Sequence, residues 1–515
     1  MVSLSDNLSN LVSIYLNKEK VTREFSEEEL EKVTVLSLSK NDIEFIQYFK
    51  NIEELELSQF PSINEKDIEV IGKELPNLKS LKIKEQSALV KLDLTCFQKL
   101  EELELVYNDN LISLSGVGKL KKFTFYDNKD FVHIQQIAKI LCDNKDAHVT
   151  LDIVYYANLI RCFKELDEKD RFVDNYVWME ATGLRKHEKH IYTNEEVKEL
   201  MELLTNIVSK YLYVTDGEIE KFGVLYYWMI QNVQFVNEDD PKNEDVSKVS
   251  NISQVFKYRK GGRLSYAKAF QLLLSFANVK SAVVYSLGAL DTIGYYNGKQ
   301  VYSLLGTSDY ALLRISIDGR YYYCDIAWDS MVHAYKYFDA LRLLLVSKDE
   351  LKLRHKFVGE GNIISSFSYH GDDSDDLIMF AGDRIKVVDE VFDDIERFKP
   401  AIVGVEMNIS MLRKEIAVLK DKLDKTDDQN DINKVKQELV EAEESLNQEE
   451  IELVKLNKQR IGVVESYAGF LNEHYVGFLM EQEEEVITQL TNKKDMLLLS
   501  DYIFKILCCS VKATF

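Results

Sequence analysis

A short apolar pattern, L-x-x-L-x-L, occurs five times in the first part of the amino-acid sequence. The repeats begin at Val33, Ile52, Leu78, Leu100 and Leu120, so that successive starts are 19, 26, 22 and 20 residues apart. A short strand that recurs at intervals of about 20 to 30 residues buries its apolar side by stacking against its neighbours. The spacing therefore predicts a parallel sheet with one strand per repeat, closed by a sixth strand in HVTLDIV from His148.

Asparagine follows the strand in two of the repeats, VTVLSLSKNDI and LEELELVYNDNL. Strand spacing and asparagine together resemble leucine-rich repeats, in which each repeat adds one short parallel strand to a curved solenoid. The resemblance implies a solenoid over residues 33–158. Residues 1–32 are predicted to form a helical cap, because MVSLSDNLSNLVSIYL is amphipathic and lacks the basic start of a secretory signal.

The outward positions of these strands alternate in charge from one repeat to the next. Adjacent parallel strands lie about 4.8 Å apart, which is close enough for acidic and basic rows to pair laterally. Two interpretations stay open, a self-neutralised solvated face and a face that binds a protein partner. The candidate binding residues are Glu53, Glu56, Lys82, Lys84, Glu102, Glu104 and Lys122.

The pattern changes twice after the repeats. Residues 159–252 have helical periodicity, as in VKELMELLTNIVSKYL, which predicts a helical connector that leads into the next domain. Residues 253–362 combine a buried helix, YAKAFQLLLSFA, with apolar strands such as SAVVYSLG and RYYYCDIAW, which predicts an α+β core. The polar residues around GDDSDD predict a linker over residues 363–385.

Residues 386–515 contain two apolar seams whose members are spaced three and four residues apart. The first seam consists of Ile402, Val405, Ile409, Leu412, Ile416, Leu419 and Leu423. The second seam begins at Ile432, after the polar break KTDDQND. This spacing is typical of a coiled coil, and the break predicts an antiparallel helical hairpin that closes within one chain or between two. The predicted fold class is multidomain α+β: a leucine-rich repeat solenoid, an α+β domain and a C-terminal coiled-coil hairpin.

Three central segments carry a second pattern: EIEKFGVLYYWMIQNVQF, GGRLSYAKAFQLLLSFANVKSAVVYS and YALLRISIDGRYYYCDIAWD. They resemble, in turn, the helix before the nucleophile, the helix that starts with it and the following strand pair of the transglutaminase-like superfamily of papain-type cysteine hydrolases. The resemblance covers roughly a quarter of the chain. It implies a triad with a thiolate at a helix N-terminus, an imidazole and an orienting carboxylate. It places the nucleophile at Arg263, the base at Tyr310 and the acid at Asp325.

Two of these three positions lack the residue type that acyl transfer needs. Arginine offers no nucleophilic lone pair at neutral pH, and a tyrosine with a pKa near 10 is a poor base. We therefore predict a degenerate triad in which the three residues still converge and Arg263 forms an ion pair with Asp325. The alternatives are a remodelled pocket that binds a ligand without cleaving it, and a displaced nucleophile at Cys324, which would share a strand with Asp325.

Composition excludes several other functions. The chain has 87 acidic and 64 basic residues and a net charge of −23, so it would repel phosphate backbones and we expect no nucleic-acid partner. No apolar run reaches the roughly 18 residues that span a bilayer. No motif indicates a metal site or a cofactor. Six scattered cysteines are typical of a reducing compartment, so we expect a cytoplasmic protein, although a leaderless secretion route would leave no trace in the sequence.

These features predict a non-catalytic protein-interaction scaffold with a pseudo-transglutaminase domain. Its partners would be proteins that bind the repeats and the coiled coil, because both are extended surfaces. The first alternative is an active cysteine hydrolase or protein-crosslinking enzyme with a displaced nucleophile. The second is a structural subunit of a larger homo- or hetero-oligomer that docks through its coiled coil.

Overall fold

The computed structural model mixes helices and strands and divides into two compact units. Unit 1 comprises Met1–Thr205 and Gly217–Leu377, and unit 2 comprises Asn206–Asp216 and Ile378–Phe515. The structure describes residues 1–58, 62–128, 131, 133–166, 176–182, 189–213, 216–236, 250–287, 294–296, 299–301, 309–327, 329–330, 344–347, 349, 356–357, 371–425 and 428–466.

Residues 1–32, the predicted helical cap, contain strands as well as helices. The elements are β1 (Val2–Ser3), α1 (Asp6–Tyr15), β2 (Glu24–Phe25) and α2 (Glu27–Leu30). Helix α1 begins where the Ser5 side chain accepts the backbone N–H of Leu8, which satisfies one open donor of the first turn. Strands β1 and β2 pair antiparallel, so the cap is not purely helical.

An eight-stranded sheet follows, and six of its strands coincide with the five predicted repeats and the predicted strand at His148. The eight strands are β3 (Val35–Leu38), β4 (Glu54–Leu57), β5 (Ser80–Lys84), β7 (Glu102–Val106), β9 (Lys122–Tyr126), β10 (His148–Asp152), β11 (Val177–Ala181) and β12 (Lys189–Ile191). Every adjacent pair from β3 to β11 is parallel. Alternate apolar residues, such as Leu81 and Ile83, are buried on the inner side of the sheet.

The strand at His148 does not close the sheet. Strand β11 adds to it in parallel and β12 then pairs antiparallel, although residues 159–252 were expected to be helical. Strand β11 could not be predicted from the sequence VWMEA, because polar and apolar residues do not alternate in it. Its last four residues are all buried: Trp178, Met179, Glu180 and Ala181.

Two buried asparagines, Asn108 after β7 and Asn128 after β9, form hydrogen bonds between successive repeats. Asn108 donates its backbone N–H to Oδ1 of Asn128 (3.0 Å) and its side-chain amide to the carbonyl of Ile83 (3.0 Å). Asn128 donates its own amide to the carbonyl of Leu105 (2.9 Å). These hydrogen bonds satisfy buried backbone groups that a turn would otherwise leave unpaired.

Shorter elements complete the repeats. They are α3 (Glu65–Glu74), β6 (Lys91–Asp93), β8 (Ser113–Ser115), α4 (Ile134–Asp143) and α5 (Tyr156–Glu165). Strands β6 and β8 pair in parallel away from the main sheet.

The rest of unit 1 is built around one buried helix. Its elements are the part of α6 (Asn194–Tyr211) that precedes Asn206, and α7 (Glu218–Asn232), β13 (Gln234–Phe235), α8 (Ile252–Tyr258), β14 (Lys260–Gly261), α9 (Arg263–Phe276), β15 (Lys280–Leu287), β16 (Gly294–Tyr296), β17 (Lys299–Val301), β18 (Asp309–Ile317), β19 (Arg320–Cys324) and β20 (Lys356–Phe357). All residues of α9 except Gln271 are buried, as expected for a helix that is apolar on most sides. It packs against β15 and β18 of an antiparallel sheet with the order β19-β18-β15-β20.

Three helices follow, α10 (Gly371–Glu396), α11 (Lys399–Asp424) and α12 (Gln429–Ser466). The predicted linker over residues 363–385 is therefore helical from Gly371 onward, because acidic residues favour the first turn of a helix and Leu377, Ala381 and Ile385 repeat on one side.

In unit 2, Arg384 lies 2.6 Å from Asp216 and stacks on the rings of Tyr213 and Phe380.

Helices α11 and α12 form the predicted antiparallel hairpin within a single chain. Ile416 and Leu419 pack against Val435, while Ile402 and Ile409 pack against Leu453. Two exposed ion pairs flank the seam in this antiparallel arrangement, Lys420 with Glu443 (2.9 Å) and Arg413 with Glu450 (3.0 Å).

Among the helices that the structure describes, none is long and apolar enough to cross a membrane.

Candidate functional site

The outer face of the parallel sheet carries lateral ion pairs between strands. Lys84 lies 3.5 Å from Glu56 and 3.3 Å from Glu104, its neighbours on the two adjacent strands. Burial lowers the pKa of Lys84, but Glu104 and Glu56 outweigh this effect, so that the net shift is upward. Of the candidate binding residues, Glu56, Lys84 and Glu104 are thus brought together.

The remaining charges of this face differ in their surroundings. Glu53 pairs with Lys79 at 2.8 Å, and Lys121 pairs in the same way with Glu101 at 2.7 Å. Glu102 lies opposite Lys122 in the register between β7 and β9, and Lys82 lies opposite Glu104 between β5 and β7. Within the described ranges, neither Lys82 nor Lys122 forms an ion pair. The face is therefore partly self-neutralised and retains charges that a partner could engage.

An open groove borders this face at the first strand. It has a volume of about 290 Å³ and lies between α1 and strands β3 to β5. Its apolar wall includes Ile14 and Val35, which are 72% and 46% exposed, and its polar wall includes Glu56 and Lys82. The sequence predicted the charged residues but not the groove, which depends on how α1 packs beside β3.

The three positions of the predicted triad belong to three different parts of the central core. Arg263 is the first residue of this helix and is 2% exposed, and Asp325, which is 1% exposed, directly follows β19. The backbone of Tyr310 pairs with Ser286 between β18 and β15, while its side chain lies outside the described residues. The structure therefore buries Arg263 and Asp325, and the ion pair between them stays a prediction.

Cys324, the alternative nucleophile, is the last residue of β19 and is fully buried. We expected Asp325 to lie on the same strand as Cys324, but it lies one residue beyond the end of β19. Burial raises the pKa of the Cys324 thiol well above its ordinary value, and the carboxylates of Asp329 and Asp325 raise it further. A thiol in such surroundings stays protonated and is a weak nucleophile.

A buried polar cluster that the sequence did not predict joins the repeats to α9. Lys268, in the middle of α9, donates a hydrogen bond to the carbonyl of Ala181 (3.0 Å) and lies 3.8 Å from Asp127. Asp152 accepts the backbone N–H groups of Asp127 and Val154, both at 3.2 Å. A lysine inside an otherwise apolar helix was the signal that could have revealed this cluster, because a buried ammonium needs carboxylate partners.

Glu180 is the third carboxylate of the cluster. It accepts the hydroxyl of Tyr192 (2.9 Å) and the backbone N–H of Ile252 (3.0 Å). Burial raises the pKa of Glu180 to about 8, and Lys268 offsets part of this rise. Burial lowers the pKa of Lys268, but Asp127, Asp152 and Glu180 outweigh burial and raise it overall. The cluster thus holds the ends of β9, β10 and β11 against α9 and explains why the repeats and the central core form one compact unit.

Among the residues that the structure describes, no group of His, Cys, Asp and Glu side chains is arranged to hold a metal ion. Comparison of the sequence with protein-family models and with curated proteins gives no match.

Proposed function

We propose that this chain is a non-catalytic protein-interaction scaffold. In this proposal residues 33–158 are a leucine-rich repeat solenoid, residues 253–362 are the core of a pseudo-transglutaminase domain, and the C-terminal helices are a coiled-coil hairpin. The parallel strands, one per repeat, and the amides of Asn108 and Asn128 support the first assignment. Arg263 at the start of the buried helix α9 supports the second.

The groove beside β3 is the observation that carries the proposal. It combines exposed apolar side chains, Ile14 and Val35, with the charged residues Glu56 and Lys82 at the edge of an extended sheet face. Apolar anchors surrounded by charged groups are what a protein partner needs for both affinity and orientation. We propose protein rather than nucleic acid as the partner, because the net charge of −23 disfavours a polyanion.

We also propose a cytoplasmic location. Cys96, Cys142, Cys162 and Cys324 are not in disulfide bonds, which is typical of a reducing compartment.

The test is quantitative capture of partners from the native host's lysate with the full-length chain and two matched variants. Val35→Asp places a charge in the groove, and Val70→Asp makes the same change at an equally exposed position on α3, where the side chain is 44% exposed. We expect Val35→Asp to lose the captured partner and Val70→Asp to retain it, with similar melting temperatures for both. Equal capture by the two variants would contradict the groove as the recognition surface.

The first alternative is a cysteine hydrolase or protein-crosslinking enzyme that uses Cys324. It requires a reactive thiol, whereas this thiol is buried and has a raised pKa. Labelling of Cys324 by a thiol probe in the folded protein at neutral pH would favour it. The second alternative, a structural subunit that docks through its coiled coil, finds support in apolar residues on the outer side of α11, such as Met407 and Met411.

A further inference from the structure

A second apolar surface runs along α11, on the side opposite the seam that contacts α12. We call it the outer stripe, and its four members are between 45% and 66% exposed: Val403, Met407, Met411 and Val418. At 3.6 residues per turn these four residues lie on one side of the helix. A helix of a two-helix hairpin needs only one apolar side, and the seam residues Ile409 and Ile416 already supply it. The outer stripe therefore has no role in closing the hairpin.

Gly404 lies beside the outer stripe, in the interior of α11. A Cβ atom at this position would meet no atom within 4 Å, so the space outside the helix is open. Glycine in a helix interior costs about 1 kcal/mol relative to alanine. Nothing in the part of the chain that the structure describes requires a glycine here. A second helix that passes close to the backbone of α11 would require one.

We propose that two copies of this chain associate through their outer stripes, with the two α11 helices antiparallel across a two-fold axis near Ser410. A two-fold interface uses the same patch on both copies, so the patch must complement itself. In this register Lys399 lies opposite Asp421 of the second copy, and Glu406 lies opposite its Lys414. The antiparallel register thus matches opposite charges, whereas a parallel register would place each of these charges beside its own copy.

Lys399 and Asp421, which form the outer charge pairs of this register, are exposed on the helix surface. Lys399 pairs with Glu396 at the end of α10 (3.1 Å) and Asp421 pairs with Lys425 (2.7 Å), and all four side chains are exposed. Such exposed pairs contribute little, so exchanging them for pairs between copies costs little. The stripe is about 22 Å long at 1.5 Å per residue, and its four side chains per copy make an interface below about 1,200 Å². We therefore expect a concentration-dependent dimer rather than a permanent one.

Sedimentation velocity of the full-length chain from about 1 to about 100 µM tests this proposal, because interfaces of this size are weak. The wild-type chain should shift from monomer to dimer as its concentration rises. Met407→Glu with Met411→Glu should keep it monomeric over that range. The matched control is Val440→Glu with Ile451→Glu on the outer side of α12, where the side chains are 49% and 59% exposed, and it should dimerise like the wild type.

Two further variants separate association from folding. Gly404→Gln should raise the melting temperature of the monomer, because it removes a glycine from a helix, and should weaken dimerisation at least tenfold. Lys399→Glu should weaken the dimer, and adding Asp421→Lys should restore it. A wild-type chain that stays monomeric, or a dimer that tolerates the methionine changes or Gly404→Gln, would overturn the proposal. None of these outcomes bears on the groove beside β3, which is on unit 1.

Discussion

The Nζ atom of Lys268 lies 3.8 Å from Oδ1 of Asp127, and both side chains are almost completely buried. Lys268 belongs to the helix α9, whereas Asp127 follows the repeat strand β9. A buried ion pair therefore joins the two halves of unit 1. It lies among two more carboxylates, Asp152 and Glu180, which also raise the pKa of the ammonium group.

Removing Lys268 should be strongly destabilising. Lys268→Met leaves buried carboxylates without their cation, which costs about 3 to 5 kcal/mol when one partner of a buried pair is deleted. Lys122→Met, on the exposed face of β9, should change the free energy of unfolding by less than about 0.5 kcal/mol. Urea denaturation of the two variants measures both effects. A loss for Lys268→Met no larger than that of the control would show that the cluster contributes little.

The cluster also predicts a pH dependence with a definite sign. The pKa of Glu180 is raised to about 8 from an ordinary 4.5, so the folded state holds a proton that the unfolded state releases above about pH 4.5. Its contribution to stability therefore declines as pH rises from about 4.5 to about 8. The groups that surround it are Lys268, Asp152 and Tyr192.

Glu180→Gln tests this dependence, because glutamine has the shape of the neutral acid but does not titrate. The melting temperature of the wild type should fall relative to that of the variant between about pH 5 and about pH 8, and the difference should then level off. Parallel melting curves over this range would mean that Glu180 is ionised in the folded protein.

Unit 2 contains a second buried pair, Arg384 with Asp216, in which the guanidinium also stacks on Tyr213 and Phe380. Lysine cannot reproduce the planar stacking, so Arg384→Lys should lower the free energy of unfolding by about 1 to 3 kcal/mol. Arg397→Lys changes a pair whose arginine is 77% exposed and should have almost no effect. Thermal denaturation measures the stability of both variants. Equal losses for Arg384→Lys and Arg397→Lys would show that the stacked pair contributes no more to stability than an exposed one.

Thiol reactivity tests the status of the central domain. Cys324 is fully buried and its pKa is raised, whereas Cys96 is exposed. An alkylating probe at neutral pH should label Cys96 in the folded protein and Cys324 only after denaturation. Peptide mapping by mass spectrometry reads out both sites in one sample. Rapid labelling of native Cys324 would count against a non-catalytic domain.

The repeat strands were predictable because their side chains alternate between a buried and an exposed side, as Leu55 and Glu54 do. The hairpin was predictable because apolar residues three and four positions apart fall on one side of each helix, where they are buried. Strand β11 was not, since Glu180 is buried among apolar residues and breaks the expected alternation. The helical start of α10 was misread as a linker, because acidic residues favour both loops and the first turn of a helix.

Part of the candidate site was also predictable from the sequence, and part was not. Charges on the sheet face follow directly from strand periodicity, so residues such as Glu56 and Lys84 could be chosen in advance. The groove beside β3 and the cluster around Lys268 depend on contacts between distant segments, and no local pattern specifies them. The packing of α1 beside β3 and of α9 beside β9 creates both.

The most direct test of a scaffold against an enzyme compares three full-length chains in one quantitative capture experiment: wild type, Cys324→Ala and Val35→Asp. A non-catalytic scaffold that binds through the groove should capture the same partner equally well with the wild type and with Cys324→Ala. It should lose that partner with Val35→Asp. The opposite result, in which Cys324→Ala changes the captured proteins and Val35→Asp does not, would contradict the scaffold and support a cysteine enzyme.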